Sequence, residues 1–185
     1  MKHSHVMQRN ASFVLLIDVQ ARLAPAIHQS EQVIAQNAWL VQIANELEVP
    51  VVVTEQYPKG LGATVEALQP LLKHATWVEK THFSALAEAQ VEAQLRNLQR
   101  PQVIVTGTEA HVCVLQTALD LVAAEFQVFV VADAVGSRVP DNKALALQRL
   151  RDAGCIIVSS EMVAFEWLHK SGTDEFRHIS KTYIR

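Results

Sequence analysis

The chain has 185 residues, of which 50% are hydrophobic and 19% charged, and its formal net charge is −3. At about 100–200 residues per domain this length predicts a single domain over residues 1–185, and an apolar chain with little net charge lacks the composition of a disordered protein. The absence of any basic run argues against a nucleic-acid partner, and no stretch approaches the roughly 18 apolar residues needed to cross a membrane.

Six short runs rich in valine and isoleucine alternate with longer amphipathic segments along the chain. Such runs are typical of strands in a parallel sheet buried on both faces, because β-branched side chains pack well on a pleated surface. In chain order the predicted strands are Ser12–Asp18, Pro50–Glu55, Thr76–Lys80, Gln102–Gly107, Gln127–Asp133 and Cys155–Ser160. Residues 1–11 are predicted to form a flexible N-terminal tail.

Two of the intervening segments, Glu31–Glu48 and Asp141–Ala153, carry apolar residues at helical spacing and are predicted as helices. Ser30 and Asp141 are expected to cap their N-termini, and Gly154 to follow the end of the second helix. Strands alternating with helices predict an α/β fold: a three-layer α/β/α sandwich with a six-stranded, mostly parallel central sheet. Ligands bind such sheets outside the carboxyl ends of the strands, so residues that follow strands are candidates for a functional site.

Two charged residues end predicted strands. Asp18 follows five consecutive apolar residues, so partial burial could raise its pKa and suit it to act as a general base; an aspartate that caps the turn after the strand is the equally good alternative. Lys80 ends the third strand, where its ammonium group could compensate that carboxylate or could simply be a solvated surface charge.

The two cysteines occupy different surroundings. Cys113 lies six residues after Gly107, where a strand gives way to a helix whose positive N-terminal end can lower the pKa of a thiol; the alternative is a small buried hydrophobe. Cys155 opens an apolar strand and is expected in the core. Two cysteines without CxxC spacing do not form a disulfide framework, which favours a reducing, cytoplasmic location.

Several binding motifs are missing from the chain. The sequence contains no GxGxxG after the first strand, no GxxxxGK[ST], no GxSxG and no HExxH. Dinucleotide and P-loop phosphate cradles, the α/β-hydrolase nucleophile elbow and a zinc-protease helix are therefore not predicted. No cofactor is expected.

Taken together, an Asp after strand one, a Lys after strand three and a Cys after strand four resemble the isochorismatase-like cysteine hydrolase superfamily. The resemblance is strongest to its branch of isochorismatase domain-containing proteins and extends from about Ser12 to Phe176. It is carried by the segments TEQYPKGLG (Thr54–Gly62), KTHFSAL (Lys80–Leu86), GTEAHVCVLQTALDL (Gly107–Leu121) and VVADAVGSR (Val130–Arg138).

The resemblance implies a catalytic triad of Asp18, Lys80 and Cys113, in which the thiol is the nucleophile and Asp18 its base. It also implies a cis peptide between Thr108 and Glu109 and an oxyanion hole made by the amides of Glu109 and Cys113. The expected pocket lining, chosen because each residue neighbours the triad or lies in the glycine loop, is Gln20, Tyr57, Phe83, His111 and Val112.

The segment after strand two departs from one branch of the superfamily. Nicotinamidases bind a metal there through an Asp and two His, whereas this chain has Glu55, Gln56, Tyr57 and Pro58, so no catalytic metal is expected. The resemblance implies a homo-oligomer acting on a small molecule, and the cysteine favours cleavage of a C–N (amide or carbamoyl) or related bond. Two alternatives stay open: a vinyl-ether hydrolase that uses Asp18 without the cysteine, and a non-catalytic binding module.

Overall fold

The structure is a computed structural model that describes residues 5–184. Its centre is one six-stranded sheet with strand order β3-β2-β1-β4-β5-β6, and every pair of neighbouring strands runs parallel. The predicted α/β class is confirmed, with a sheet that is entirely rather than mostly parallel. The strands are β1 (Ser12–Ile17), β2 (Val51–Gln56), β3 (Thr76–Lys80), β4 (Gln102–Thr108), β5 (Gln127–Gly136) and β6 (Ile156–Val158).

Helices cover both faces of this sheet and produce the predicted three layers. One hydrophobic core joins the sheet to α1, α6 and α7, and a second core on the opposite face joins it to α3, α4 and α5. The helices are α1 (Ser30–Glu46), α2 (Pro58–Leu61), α3 (Val91–Asn97), α4 (Leu115–Ala123), α5 (Pro140–Asp152), α6 (Ser160–Leu168) and α7 (Asp174–Tyr183). Within residues 5–184, no helix is long and apolar enough to span a bilayer.

The helix starts differ from the sequence prediction. Ser30 and Asp141 both lie inside their helices, so their prediction as N-caps is wrong. The residue before α1 is Gln29 in the left-handed region, and α5 begins at Pro140, whose restricted φ suits the first helical position. Gly154 does follow the end of α5, with a positive φ of 99°, as predicted.

The segment before β1 packs against the body of the protein. The Met7 side chain is fully buried in the core, and its amide donates a hydrogen bond to Glu166 at 2.6 Å. The amide of Gln8 donates to the Gln102 side chain at 2.7 Å. The predicted flexibility is therefore wrong from Met7 onward, because this stretch has core and polar partners; residues 1–4 lie outside the described residues.

The site is positioned by the central pair of strands, β1 and β4. From β1 the chain builds the sheet outward in one direction and from β4 in the other, and the carboxyl ends at such a reversal are where ligands bind in sheets of this kind. The two strands are very close at Gly107, where a Cβ atom would lie 2.0 Å from the carbonyl oxygen of Ile17 and φ is +121°. Only glycine fits there, and this contact places Asp18 beside the turn that follows β4.

Candidate active site

A fully buried ion pair lies at the carboxyl ends of β1 and β3. The Lys80 ammonium nitrogen is 2.7 Å from Oδ2 of Asp18, and both side chains have 0% exposure. The hydroxyl of Thr54, on β2 between them, donates to Oδ1 of Asp18 at 2.6 Å. Neither charged residue is therefore a solvated surface group: Lys80 compensates the carboxylate, and the role of Asp18 as a general base stays a prediction.

Lys80 has further oxygen partners around its ammonium group. Nζ donates to Oε1 of Gln56 at 2.6 Å and to the backbone carbonyls of Phe83 at 3.1 Å and His82 at 3.3 Å. A buried charge is tolerated only where paired and hydrogen-bonded, and this set of acceptors meets that condition. The ammonium group is thereby held in one position.

The loop that supplies those carbonyls is anchored by Glu88, which sequence analysis missed. Oε1 of Glu88 accepts from the amide of Thr81 at 2.7 Å, from the amide of His82 at 3.1 Å and from the ring of His82 at 2.9 Å. The bond from the Thr81 amide is the main reason that the pKa of Glu88 falls to about 2. No sequence pattern marks Glu88, since its role depends on how the loop folds back.

Cys113 lies in a π-helical turn, Ala110–Val114, between β4 and α4, and is 4% exposed. Asp18 and Lys80 both shift the pKa of its thiol, so the structure brings the three predicted triad residues close together. Burial, followed by the charge of Asp18, raises the pKa of Cys113 to about 12, although Lys80 acts in the opposite direction.

The expectation that a helix N-terminus lowers the pKa of Cys113 is therefore wrong. Helix α4 begins two residues after the cysteine, at Leu115, and burial is the largest influence on the pKa of the thiol. Cys113 is a neutral thiol at neutral pH before it meets a substrate. Cys155 is buried in the core as predicted, and burial raises its pKa to about 11.

The backbone beside the triad contains two residues in the left-handed region, Asp18 with φ 51° and Glu109 with φ 57°. The Thr108 hydroxyl donates to the Asp18 carbonyl at 2.5 Å, which ties the end of β1 to the end of β4. No cis peptide occurs within residues 5–184, so the prediction of one between Thr108 and Glu109 is wrong. The chain turns toward Cys113 through the positive φ of Glu109 instead.

The predicted pocket residues separate into two groups. Gln20 is fully buried, donates to the carbonyls of Gln56 and Gly62 and accepts from the amide of Gln56, and its assignment to the pocket lining stays a prediction. The hydrogen bonds of its side chain hold the loop after β2 in place. Tyr57 and Phe83 are 56% and 54% exposed. Tyr57 lines an open cavity of about 380 Å³ that Lys80 also borders.

The last two predicted pocket residues, His111 and Val112, lie in the same turn as Cys113. Nδ1 of His111 is 3.0 Å from the hydroxyl oxygen of Ser137, which follows β5. Glu109, at the start of the turn, has its side chain paired with Arg138: Oε1 is 2.9 Å from Nε. The turn is thus lined by polar groups that sequence analysis did not connect.

The chemistry available at this site is that of a nucleophile, a base and a buried cation. The carboxylate of Asp18 is a candidate acceptor of the thiol proton, because it lies close enough for its charge to raise the pKa of Cys113. Across the described part of the chain, no three His, Cys, Asp or Glu side chains are grouped as metal ligands.

A family model and the sequences of related proteins all point to one protein family. The family model of the isochorismatase domain matches residues 12–162. Isochorismatase domain-containing protein 2 of Danio rerio is 37% identical over 178 residues, which are 95% of this chain and 88% of that protein. The secreted isochorismatase effector Isc1 of Phytophthora sojae is 40% identical over 177 residues, 93% of this chain and 84% of that protein.

Solved structures agree with the fold. The structure described as MAR1 ribonuclease from Caenorhabditis elegans is 34% identical, has a TM-score of 0.90 and is matched over 97% of this chain and 93% of that one. YcaC from Pseudomonas aeruginosa, solved with covalent acrylamide, has a TM-score of 0.90 over 100% of this chain and 94% of that one. Its identity is 23%, so it shows the similarity of the fold alone.

Proposed function

The chain belongs to the isochorismatase family, and we propose that it is a metal-independent hydrolase in which Asp18, Lys80 and Cys113 cleave a C–N (amide or carbamoyl) bond of a small molecule through a covalent cysteine intermediate. The observation that carries this proposal is that the thiol lies near both members of the buried ion pair, which act on its pKa in opposite directions. A cysteine that only fills space in the core does not require charged neighbours. A buried ion pair contributes little to stability because of its desolvation cost, so its presence beside a thiol favours a functional site.

The first step follows from the raised pKa of the thiol. Because Cys113 is protonated at rest, it needs a base at the moment of attack, and we assign that role to the neighbouring Asp18. The sulfur then bonds to the carbonyl carbon. Lys80 stabilises the negative charge of the carboxylate before this transfer and that of the sulfur during it.

The later steps use the same groups. We assign the negative oxygen of the tetrahedral intermediate to the backbone N–H groups of Glu109 and Cys113. Asp18 returns the proton to the leaving nitrogen, the C–N bond breaks and a thioester or its carbamoyl equivalent remains on the sulfur. A water molecule then gives a proton to Asp18 and attacks the carbonyl carbon, and the thiolate leaves and recovers that proton.

A small, largely apolar substrate fits the surroundings proposed for it. We assign its binding to Tyr57 and Phe83, which expose aromatic surface, and to His111 and Val112, which lie in the same turn as Cys113. The C. elegans relative is described as a ribonuclease, but RNA binding relies on cationic groups that face phosphates. The only cation in the triad is fully buried and engaged with Asp18, which favours a small neutral substrate.

Substitution of the triad tests the proposal against both alternatives. We expect a panel of short primary amides, carbamoyl compounds and vinyl ethers to contain a substrate whose turnover is abolished in Cys113→Ala and in Asp18→Asn, and kept in the matched variant Cys155→Ala. Loss of activity in Asp18→Asn with full activity in Cys113→Ala would indicate vinyl-ether hydrolysis without the cysteine. No turnover of any compound, together with a reproducible protein partner, would indicate a non-catalytic binding module.

Assembly and location belong to the same proposal. YcaC from Escherichia coli, 22% identical to this chain, is described as an octameric hydrolase, which supports a homo-oligomer here. Trp77 is 46% exposed on edge strand β3, close in sequence to the exposed Phe83, and this apolar surface is available for subunit contact. A cytoplasmic location stays a prediction, since the P. sojae relative is described as secreted.

A further inference from the structure

Glu109 carries a buried carboxylate oxygen that nothing in the described chain satisfies. The residue is 6% exposed, and its Oε1 is 2.9 Å from Nε of Arg138. Its other oxygen, Oε2, is buried without a hydrogen-bond partner among residues 5–184. An unsatisfied buried acceptor is costly and calls for an explanation, and a ligand that donates to it is one.

The nearest ring nitrogen does not supply that donor. Nδ1 of His111 lies 3.5 Å from Oε2 and only 3.0 Å from the hydroxyl oxygen of Ser137, so the serine is its hydrogen-bond partner. Arg138, which is largely exposed, neutralises the charge of Glu109 through the other oxygen. Within the described part of the chain, Oε2 is thus a free hydrogen-bond acceptor, and the Glu109–Arg138 pair to which it belongs has no net charge.

This oxygen belongs to the turn that carries the nucleophile. The carbonyl of Glu109 accepts from the amides of Val112 at 2.9 Å and Val114 at 3.3 Å, the residues on either side of Cys113. Glu109 is therefore the N-cap residue of the π-helical turn, and its side chain is paired with Arg138, which follows β5.

We propose that Oε2 of Glu109 accepts a hydrogen bond from an N–H group of the substrate, which makes Glu109 a specificity-determining residue for amides and carbamoyl compounds. The inference rests on the proposed function and narrows its substrate class. One residue then recognises both ends of the amide: the backbone N–H receives the carbonyl oxygen, and Oε2 receives the N–H. The oxygen of an ester or ether would instead direct a lone pair at Oε2, which such a site rejects.

The substitution Glu109→Gln reverses the chemistry at this point without changing the size of the side chain. Nε of Arg138 is a donor and needs an oxygen opposite it, so the glutamine oxygen takes the place of Oε1. Its NH₂ group then occupies the position of Oε2, and an acceptor becomes a donor. Glu66→Gln, an exposed Glu away from the site, is the matched control.

Acrylamide and methyl acrylate are suitable probes, because they have nearly the same size and only acrylamide has N–H groups. In both reactions the sulfur of Cys113 adds to the terminal alkene carbon, the proton of the thiol ends on the neighbouring carbon, and nothing leaves. The rate of labelling of Cys113 is measured by peptide mass spectrometry on the full-length protein. The rate of labelling by acrylamide is divided by the rate of labelling by methyl acrylate, and this ratio is divided by the same ratio for the free thiol glutathione.

We expect this normalised ratio to exceed one in the unmodified protein and in Glu66→Gln, and to fall by about 10-fold or more in Glu109→Gln, as expected for loss of a buried hydrogen bond. An equal ratio in all three proteins, with Cys113 readily labelled, would overturn the inference and leave the proposed nucleophile intact. If neither probe labels Cys113 faster than Cys155 in the unmodified protein, the proposed function itself fails, and the inference fails with it.

Discussion

Replacing Lys80 with methionine removes the ammonium group and keeps a side chain of similar length. Among residues 5–184, the carboxylate of Asp18, which is 0% exposed, then keeps the hydroxyl of Thr54 as its one side-chain hydrogen-bond donor. Removing one partner of a buried ion pair costs about 3–5 kcal/mol, because the other charge stays buried without compensation. We expect Lys80→Met to lower the free energy of unfolding at pH 7 by that amount.

A double-mutant cycle separates this electrostatic cost from simple loss of packing. Asp18→Asn removes the charge but keeps the shape, so the double variant Asp18→Asn/Lys80→Met should be more stable than Lys80→Met alone, while lacking activity. Urea unfolding followed by tryptophan fluorescence gives all four free energies. A loss below about 1 kcal/mol in Lys80→Met, the usual range of an exposed pair, or strictly additive losses would refute the role of the ion pair.

Two further predictions concern residues that support the site. Gly107→Ala should lower the free energy of unfolding by more than about 4 kcal/mol or fail to fold, because its Cβ would lie 2.0 Å from a backbone oxygen. Gly154→Ala, also at positive φ but with no atom within 4 Å, should lower it by only about 1–2 kcal/mol. Equal losses in urea unfolding would contradict the close contact of β1 and β4. The pKa of Glu88 is lowered from 4.5 to about 2, so its stabilising effect is present above pH 4.5 and is lost as the pH falls toward 2. Melting temperatures of the unmodified protein and Glu88→Gln should therefore differ most above pH 5 and converge near pH 2, and a difference independent of pH would be contrary to this linkage.

The strands and the nearness of Asp18, Lys80 and Cys113 were accessible from sequence, because apolar runs mark buried parallel strands and such strands align their carboxyl ends. The end of β5 was not accessible. The register between β4 and β5 shifts between Val105 and Gly107, and after this irregularity Val135 and Gly136 still pair with β4. The strand thus continues three residues beyond Asp133. This extension is set by pairing with β4 and not by a pattern in the residues of β5.

The electrostatics of the site depend on tertiary packing and were predicted less well. The chain suggested a helix terminus that activates Cys113, but burial and Asp18 raise the thiol pKa instead. Gln20 was placed in the pocket from its position next to Asp18, although its side chain is directed at the loop after β2. Glu88 and Glu109 have unremarkable sequence positions, and only the folded loop and turn reveal their partners.

The central claim is that Cys113 forms a covalent intermediate with help from Asp18, and it is tested most directly by mass spectrometry of the protein quenched during turnover of an amide substrate. We predict an acyl adduct on the peptide that contains Cys113, formed during turnover in the unmodified protein and lost in Asp18→Asn. Steady turnover with no adduct on that peptide at any quench time, and with activity retained in Cys113→Ala, would contradict it.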